Sequence, residues 1–220
     1  MSLEFNLEVL SEKFKAHIEA QEGVSVLETE DFGWDNFRYE SPFFRLAHVE
    51  RYFVDGLLVV HVTCIPRFDS GEPIYGFDVV GSEKTGKISG AFLDLSPVLY
   101  DTEWHNTTWA ADRALPAWAS IFSKSFIAVR PEPSEHDTLF DMAYETFVKY
   151  LEKLTASVKL NTTSESWLDP DATYQQIQTA QNNYCAHQAS NPRTFAAIKH
   201  HIGEERARHF MENILFPKLP

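Results

Sequence analysis

Residues 44–66, FRLAHVERYFVDGLLVVHVTCIP, decide the fold. Two runs of β-branched and aromatic residues flank Asp55-Gly56, a dipeptide suited to a two-residue hairpin loop because both positions accept positive φ. The segment therefore reads as two antiparallel strands, 37–54 and 57–66. Outward from this hairpin, VSVLE at 24–28, YGFDVVGS at 75–82, KISGAFLDLS at 87–96 and SFIAVRP at 125–131 share the same character. Glu83-Lys84-Thr85-Gly86 supplies another turn, and Pro131 and Pro133 stop the last run. The spacing predicts a meander of antiparallel strands.

Helical periods surround it. At 3–21, Leu3, Phe5, Leu7, Leu10, Phe14 and Ile18 recur near a 3.6-residue period, and Gly23 closes the run. The stretch 134–154 opens on Ser134 with Asp137 three positions on, a near-match to a capping box, and then lines Phe140, Tyr144, Phe147, Tyr150 and Leu151 along one face. Residues 155–169 read as polar loop, 101–120 as irregular and rich in Trp and Pro, and 170–190, 191–202 and 203–215 as helices separated at Asn191-Pro192 and Gly203. Strands first, with helices before and after, predict an α+β fold in which helices cover a sheet. No repeat or long linker divides the chain, so 1–220 is expected to form a single domain.

With 220 residues, 44% of them hydrophobic and 23% charged, the chain can bury a core and is neither disordered nor a coiled coil. Its net charge of −13 repels phosphate backbones and anionic lipid, so neither nucleic acid nor membrane is an expected partner. There is no run of about 18 apolar residues, and the charged start MSLEFNLEVLSEKF does not resemble a secretion signal. A cytoplasmic protein, monomeric and without a membrane anchor, is expected. Cys64 and Cys185 lie far apart without a CxxC, and suggest neither zinc nor a disulfide framework. The 14% aromatic content fits either a large core or a slot for a flat hydrophobic ligand.

Chemistry-bearing residues gather on the strands. His48 and Glu50, two apart, share one face of their strand, and His61 and Asp78 lie on neighbouring strand runs. One explanation is a sheet with a wet face where charges alternate outward. The other is a polar cluster kept for function, since each such group costs several kcal/mol to bury unpaired. Asp78, between Tyr-Gly-Phe and Val-Val-Gly, is expected to be a solitary acid with a raised pKa, as suits a proton donor. His48, Glu50 and His61 could also ligate a metal, although no helical HxxxH or HExxH supports it. GxSxG, GxGxxG and P-loop patterns are absent from the sequence.

Three blocks carry a resemblance: FRLAHVERYFVDGLLVVHVTCIPRFDSGEPIYGFDVVGSEKTGKISGAFLDLSPV at 44–98, PAWASIFSKSFIAVRP at 116–131, and YCAHQASNPRTFAAIKHHIGEERARHFMENILFP at 184–217. In this order they resemble the ferredoxin-dependent bilin reductases, most nearly the phycocyanobilin-forming branch. The resemblance implies a three-layer α/β/α sandwich with a central antiparallel sheet. It further implies reduction of biliverdin IXα without an intrinsic cofactor, one-electron transfers from reduced ferredoxin alternating with side-chain proton donation through bilin radicals. On this resemblance Asp78 is the central proton donor, His61 shares its protons, Glu50 serves reduction of the outer vinyl group, and His48 is a neighbouring substrate contact. Ser89, Arg130, Gln188, Asn191 and Arg193 match bilin contacts, the two arginines suiting propionate carboxylates. The expected product is phycocyanobilin, with phycoerythrobilin or a non-catalytic bilin-binding role as alternatives. Residues 191–220 hold five basic residues against three acidic ones, so ferredoxin, an acidic protein, is expected to dock near Lys199 and Arg206.

Overall fold

The computed structural model describes residues 2–99, 122–123, 126–161 and 170–219. The strands are β1 (Ser25–Val26), β2 (Asp35–Glu40), β3 (Phe44–Val54), β4 (Leu57–Pro66), β5 (Ile74–Ser82), β6 (Lys87–Ser96) and β7 (Ile127–Val129). They form one sheet in sequential order, each pair antiparallel. Asp55 and Gly56 adopt φ 51 and 77, and Val54 pairs with Leu57, so the two-residue turn forms as its sequence dictates.

The long run 37–54 is two strands rather than one. Ser41-Pro42 breaks it: the Ser41 hydroxyl accepts hydrogen bonds from the backbone N–H of Phe43 at 3.0 Å and of Phe44 at 3.2 Å, which reverses the chain. The strand expected at 24–28 is reduced to two residues, and the run expected from 125 pairs only over Ile127–Val129.

The chain divides into two compact units, 1–165 and 166–220. In the first, helices α1 (Leu3–Glu19) and α2 (His136–Asn161) pack against the sheet. The Ser2 hydroxyl caps α1 by accepting from Phe5 N–H at 3.2 Å. Pro133–Glu135 forms a 3-10 turn ahead of α2, and Glu132 N–H donates to the Glu135 carboxylate at 2.7 Å, so the helix entry is built on these glutamates and not on Ser134 and Asp137. Helix α2 also runs through Asn161, into the stretch expected as loop; 162–169, like the irregular segment expected at 101–120, lies outside the described residues.

Val49, Val62, Phe77, Leu93 and Ile127 stand opposite one another along a single cross-strand row, and all are buried in the core that α1 and α2 complete. Phe14 of α1 stacks on Phe77 with centroids 5.9 Å apart and meets Phe147 of α2 edge-on at 5.1 Å. Much of the aromatic content therefore fills this core. Two tyrosines there have partners for their hydroxyls: Tyr75 O–H donates to Ala143 C=O at 2.9 Å, and Tyr150 O–H to Pro73 C=O at 3.0 Å. At the rim Arg51 donates to Asp35 through Nη2 at 2.6 Å and to Glu12 through Nη1 at 3.2 Å, tying α1 to the sheet.

The second unit contains α3 (Pro170–Ala189), α4 (Pro192–Ile202), α5 (Glu204–His209) and a π-helical turn at Phe210–Leu215. Asn182 closes it by donating to Leu219 C=O at 2.7 Å and accepting from Leu219 N–H at 3.1 Å. Among the described residues, no helix is long and apolar enough to cross a membrane. Sheet and helices together bear out the α+β class.

Candidate active site on the polar face of the sheet

The row of core residues Val49, Val62 and Phe77 fixes where their chain neighbours point, because side chains alternate across a sheet. Glu50, His61 and Asp78 are therefore aligned on the opposite face, Glu50 opposite His61 and His61 opposite Asp78. The next row along places Arg38 opposite His48, and His48 opposite Thr63. Antiparallel register thus brings together on one face the four ionisable residues singled out on the strands.

This is not a wet face of unrelated charges. His48, Glu50 and His61 are all buried, with 0%, 5% and 6% of their surface exposed. Asp78 retains 39% side-chain exposure and is not solitary: His61 Nδ1–H donates to its Oδ1 at 2.7 Å. The acid that burial lifts is Glu50. Its carboxyl is raised to about 7 by desolvation, against the opposing pull of His61 and of a hydrogen bond from Trp34, whose Nε1–H donates to Glu50 Oε1 at 2.7 Å. Burial disfavours the His61 imidazolium, but the charge and hydrogen bond of Asp78, with the charge of Glu50, outweigh it and raise its pKa. His48 is held far below the ordinary imidazole range, first by burial and then by the positive charges of His61 and Arg38. Neighbouring groups are thus driven apart in proton affinity: Glu50 and His61 hold protons toward neutral pH while His48 stays neutral.

The remaining sequence candidates stand on other elements of the two units. Ser89 is exposed at the β5–β6 irregularity and donates through its hydroxyl to Val80 C=O at 3.1 Å. Arg130 is exposed immediately after β7. In the second unit Gln188 donates to Tyr184 Oη at 3.1 Å, and Asn191 caps α4 by accepting from Arg193 N–H at 3.0 Å. Arg193 is exposed, and exposed Lys199 is paired with Glu204. Among the described residues, no three His, Cys, Asp or Glu side chains converge to hold a metal ion.

Sequence reasoning missed Trp34, Asn36 and Arg38. All three contact or bias the cluster, and their spacing of two is the available signal; Trp34 and Asn36 fall before the expected strand 37–54, and only Arg38 lies within it.

Comparison with known proteins finds relatives by sequence and by fold. The curated relatives include a phycocyanobilin:ferredoxin oxidoreductase from Synechococcus sp., 30% identical over 86% of this chain and 78% of the relative. Another, from Trichodesmium erythraeum, is 28% identical over the same shares. Among solved structures, that of PcyX matches with a TM-score of 0.67 at 22% identity, covering 97% of this chain and 99% of the other. Tomato phytochromobilin synthase, solved in complex with biliverdin, matches with a TM-score of 0.65 at 18% identity, covering 98% and 83%. These two likenesses establish the fold as one shared with known structures. The family profile for ferredoxin-dependent bilin reductases matches residues 9–217, and the chain, an oxidoreductase that reduces a bilin with electrons from ferredoxin, belongs to that family.

Proposed function

We propose that the substrate is biliverdin IXα, that its four-electron product is phycocyanobilin, and that the whole chain, 1–220, acts as one reductase domain. The observation that carries this reading is the buried row Glu50–His61–Asp78, with His61 and Asp78 joined at 2.7 Å. Each electron delivered to a bilin must be matched by a proton if charge is not to accumulate. Protonated Glu50 and the His61–Asp78 pair are the donors suited to that task near neutral pH. Asp78, the partly exposed member, is the group that meets the substrate. His61 replenishes it, and Glu50 serves the outer vinyl group.

Relatives named phycocyanobilin:ferredoxin oxidoreductase at 30% identity, together with the presence of Glu50, support phycocyanobilin as the product. Electrons come from ferredoxin alone in this reading, and reduction passes through bilin radicals. Ser89, Arg130, Gln188, Asn191 and Arg193 are substrate contacts, the two arginines pairing with propionates. Lys199 and Arg206 receive the acidic ferredoxin.

Anaerobic incubation of the protein with biliverdin and reduced ferredoxin, followed by spectroscopy through the reaction, tests the reading. A transient radical absorption followed by loss of biliverdin is expected. Tight biliverdin binding without turnover would make the chain a carrier and overturn the catalytic reading.

A further inference from the structure

Trp34, Asn36 and Arg38 stand at alternate positions as the chain enters β2, so they share the face that carries the cluster. Asn36 pairs in register with Glu50, and Arg38 with His48. Trp34 is used at both ends. Its indole N–H donates to Glu50 Oε1 at 2.7 Å, and its backbone carbonyl accepts from Asn36 Nδ2 at 3.2 Å. That second bond settles which end of the Asn36 amide faces His48. With the nitrogen engaged by Trp34, the oxygen lies 3.1 Å from His48 Nε2. An amide oxygen can only accept, so Nε2 carries the imidazole hydrogen and Nδ1 keeps its lone pair. His48 is wholly buried, and among the described residues Nδ1 has no hydrogen-bond partner. Its ring lies 6.1 Å from that of His61. Arg38, in register with His48, sets a buried guanidinium beside it, which opposes a second proton on the ring.

We propose that Trp34 and Asn36 are positioning residues for the proton-supplying cluster. Trp34 anchors the Glu50 carboxyl through its indole N–H and, through Asn36, locks His48 as the neutral Nε2–H tautomer with its Nδ1 lone pair held as a fixed acceptor. This deepens the reading of Glu50 and His61 as a proton supply and rests on it. In that scheme His48 stays neutral, and β2 holds it as a hydrogen-bond acceptor at Nδ1 and not as a proton donor.

Two substitutions separate the two connections. Asn36→Leu removes the acceptor facing His48 at similar size. Trp34→Phe keeps both the backbone carbonyl and a ring against Tyr52 while removing the N–H. The ¹⁵N imidazole spectrum of the full chain without bilin, assigned with His48→Gln, is expected to show the Nε2–H tautomer. It should shift toward Nδ1–H in Asn36→Leu and return to Nε2–H in Asn36→Asp. A ¹³C carboxyl titration of Glu50, which also faces His61 and Asp78, is expected to move to higher pH in Trp34→Phe, with the His48 tautomer unchanged. Wild-type protein with His48 as Nδ1–H, or unchanged spectra and titration in both variants, would overturn the proposal. Failure of the wild type to reduce biliverdin while these spectra behave as stated would sink the functional reading and leave the positioning intact.

Discussion

His61 donates from Nδ1 to Asp78 Oδ1 at 2.7 Å, joining a residue 6% exposed to one whose side chain is 39% exposed. A buried base is thereby connected to an acid that a ligand can reach, and the interstrand register holds the two in place.

Replacing Asp78 by Asn retains the shape and removes the transferable proton. Turnover is expected to fall by roughly 10²–10⁴-fold, the usual worth of a positioned acid, with biliverdin affinity nearly preserved. Single-turnover absorbance under anaerobic conditions measures both quantities. Wild-type rates in the variant would remove Asp78 from the proton supply.

The same substitution changes the pH dependence of stability. His61 has a raised pKa in the fold, so its contribution is fully present below about 6.5, the value of an unperturbed imidazole, and is lost as pH rises through the folded value. Asp78→Asn removes the carboxylate responsible. Its destabilisation, read from urea midpoints, should be larger at pH 6 than at pH 9.

Glu50 behaves in the opposite sense. With its folded pKa raised to about 7, the carboxyl binds its proton more tightly in the fold than in the unfolded chain, and the ionised form costs stability above that pH. Glu50→Gln keeps an oxygen for Trp34 and should raise stability at pH 8 by about 2 kcal/mol, with a smaller gain at pH 5. Phycocyanobilin formation should fall in the same variant. Equal stability changes at both pH values would contradict the assignment.

Away from the cluster, Tyr150→Phe deletes the hydroxyl that donates to Pro73 C=O and leaves the ring packing in place. A loss of about 1 kcal/mol in chemical denaturation is expected, with turnover unchanged.

Charge reversal at Lys199 or Arg206 should raise the KM for ferredoxin several-fold, and the effect should shrink as salt increases. Steady-state rates at two ionic strengths, with biliverdin saturating, check this.

Part of the site is legible in the sequence. Asp55-Gly56 fixes a two-residue turn, and counting back from it puts Glu50 opposite His61. The pairing of His61 with Asp78 was not accessible in the same way, because the connection from Pro66 to Ile74 is no tight hairpin and leaves the register open. Burial was also hidden. Alternation reveals that two faces differ, but not how deeply each residue is buried, and the acid that burial lifts here is Glu50. Ser41-Pro42 places a turn inside the run 37–54, and β2 begins at Asp35, ahead of that run, so Trp34 and Asn36 precede the strand the sequence predicts.

We propose that this chain uses ferredoxin electrons and the protons of its Glu50–His61–Asp78 row to convert biliverdin into phycocyanobilin. Chromatographic identification of the product after anaerobic turnover with reduced ferredoxin tests it most directly. Phycocyanobilin is the result predicted, and recovery of unreacted biliverdin, or of phycoerythrobilin in its place, would contradict the account.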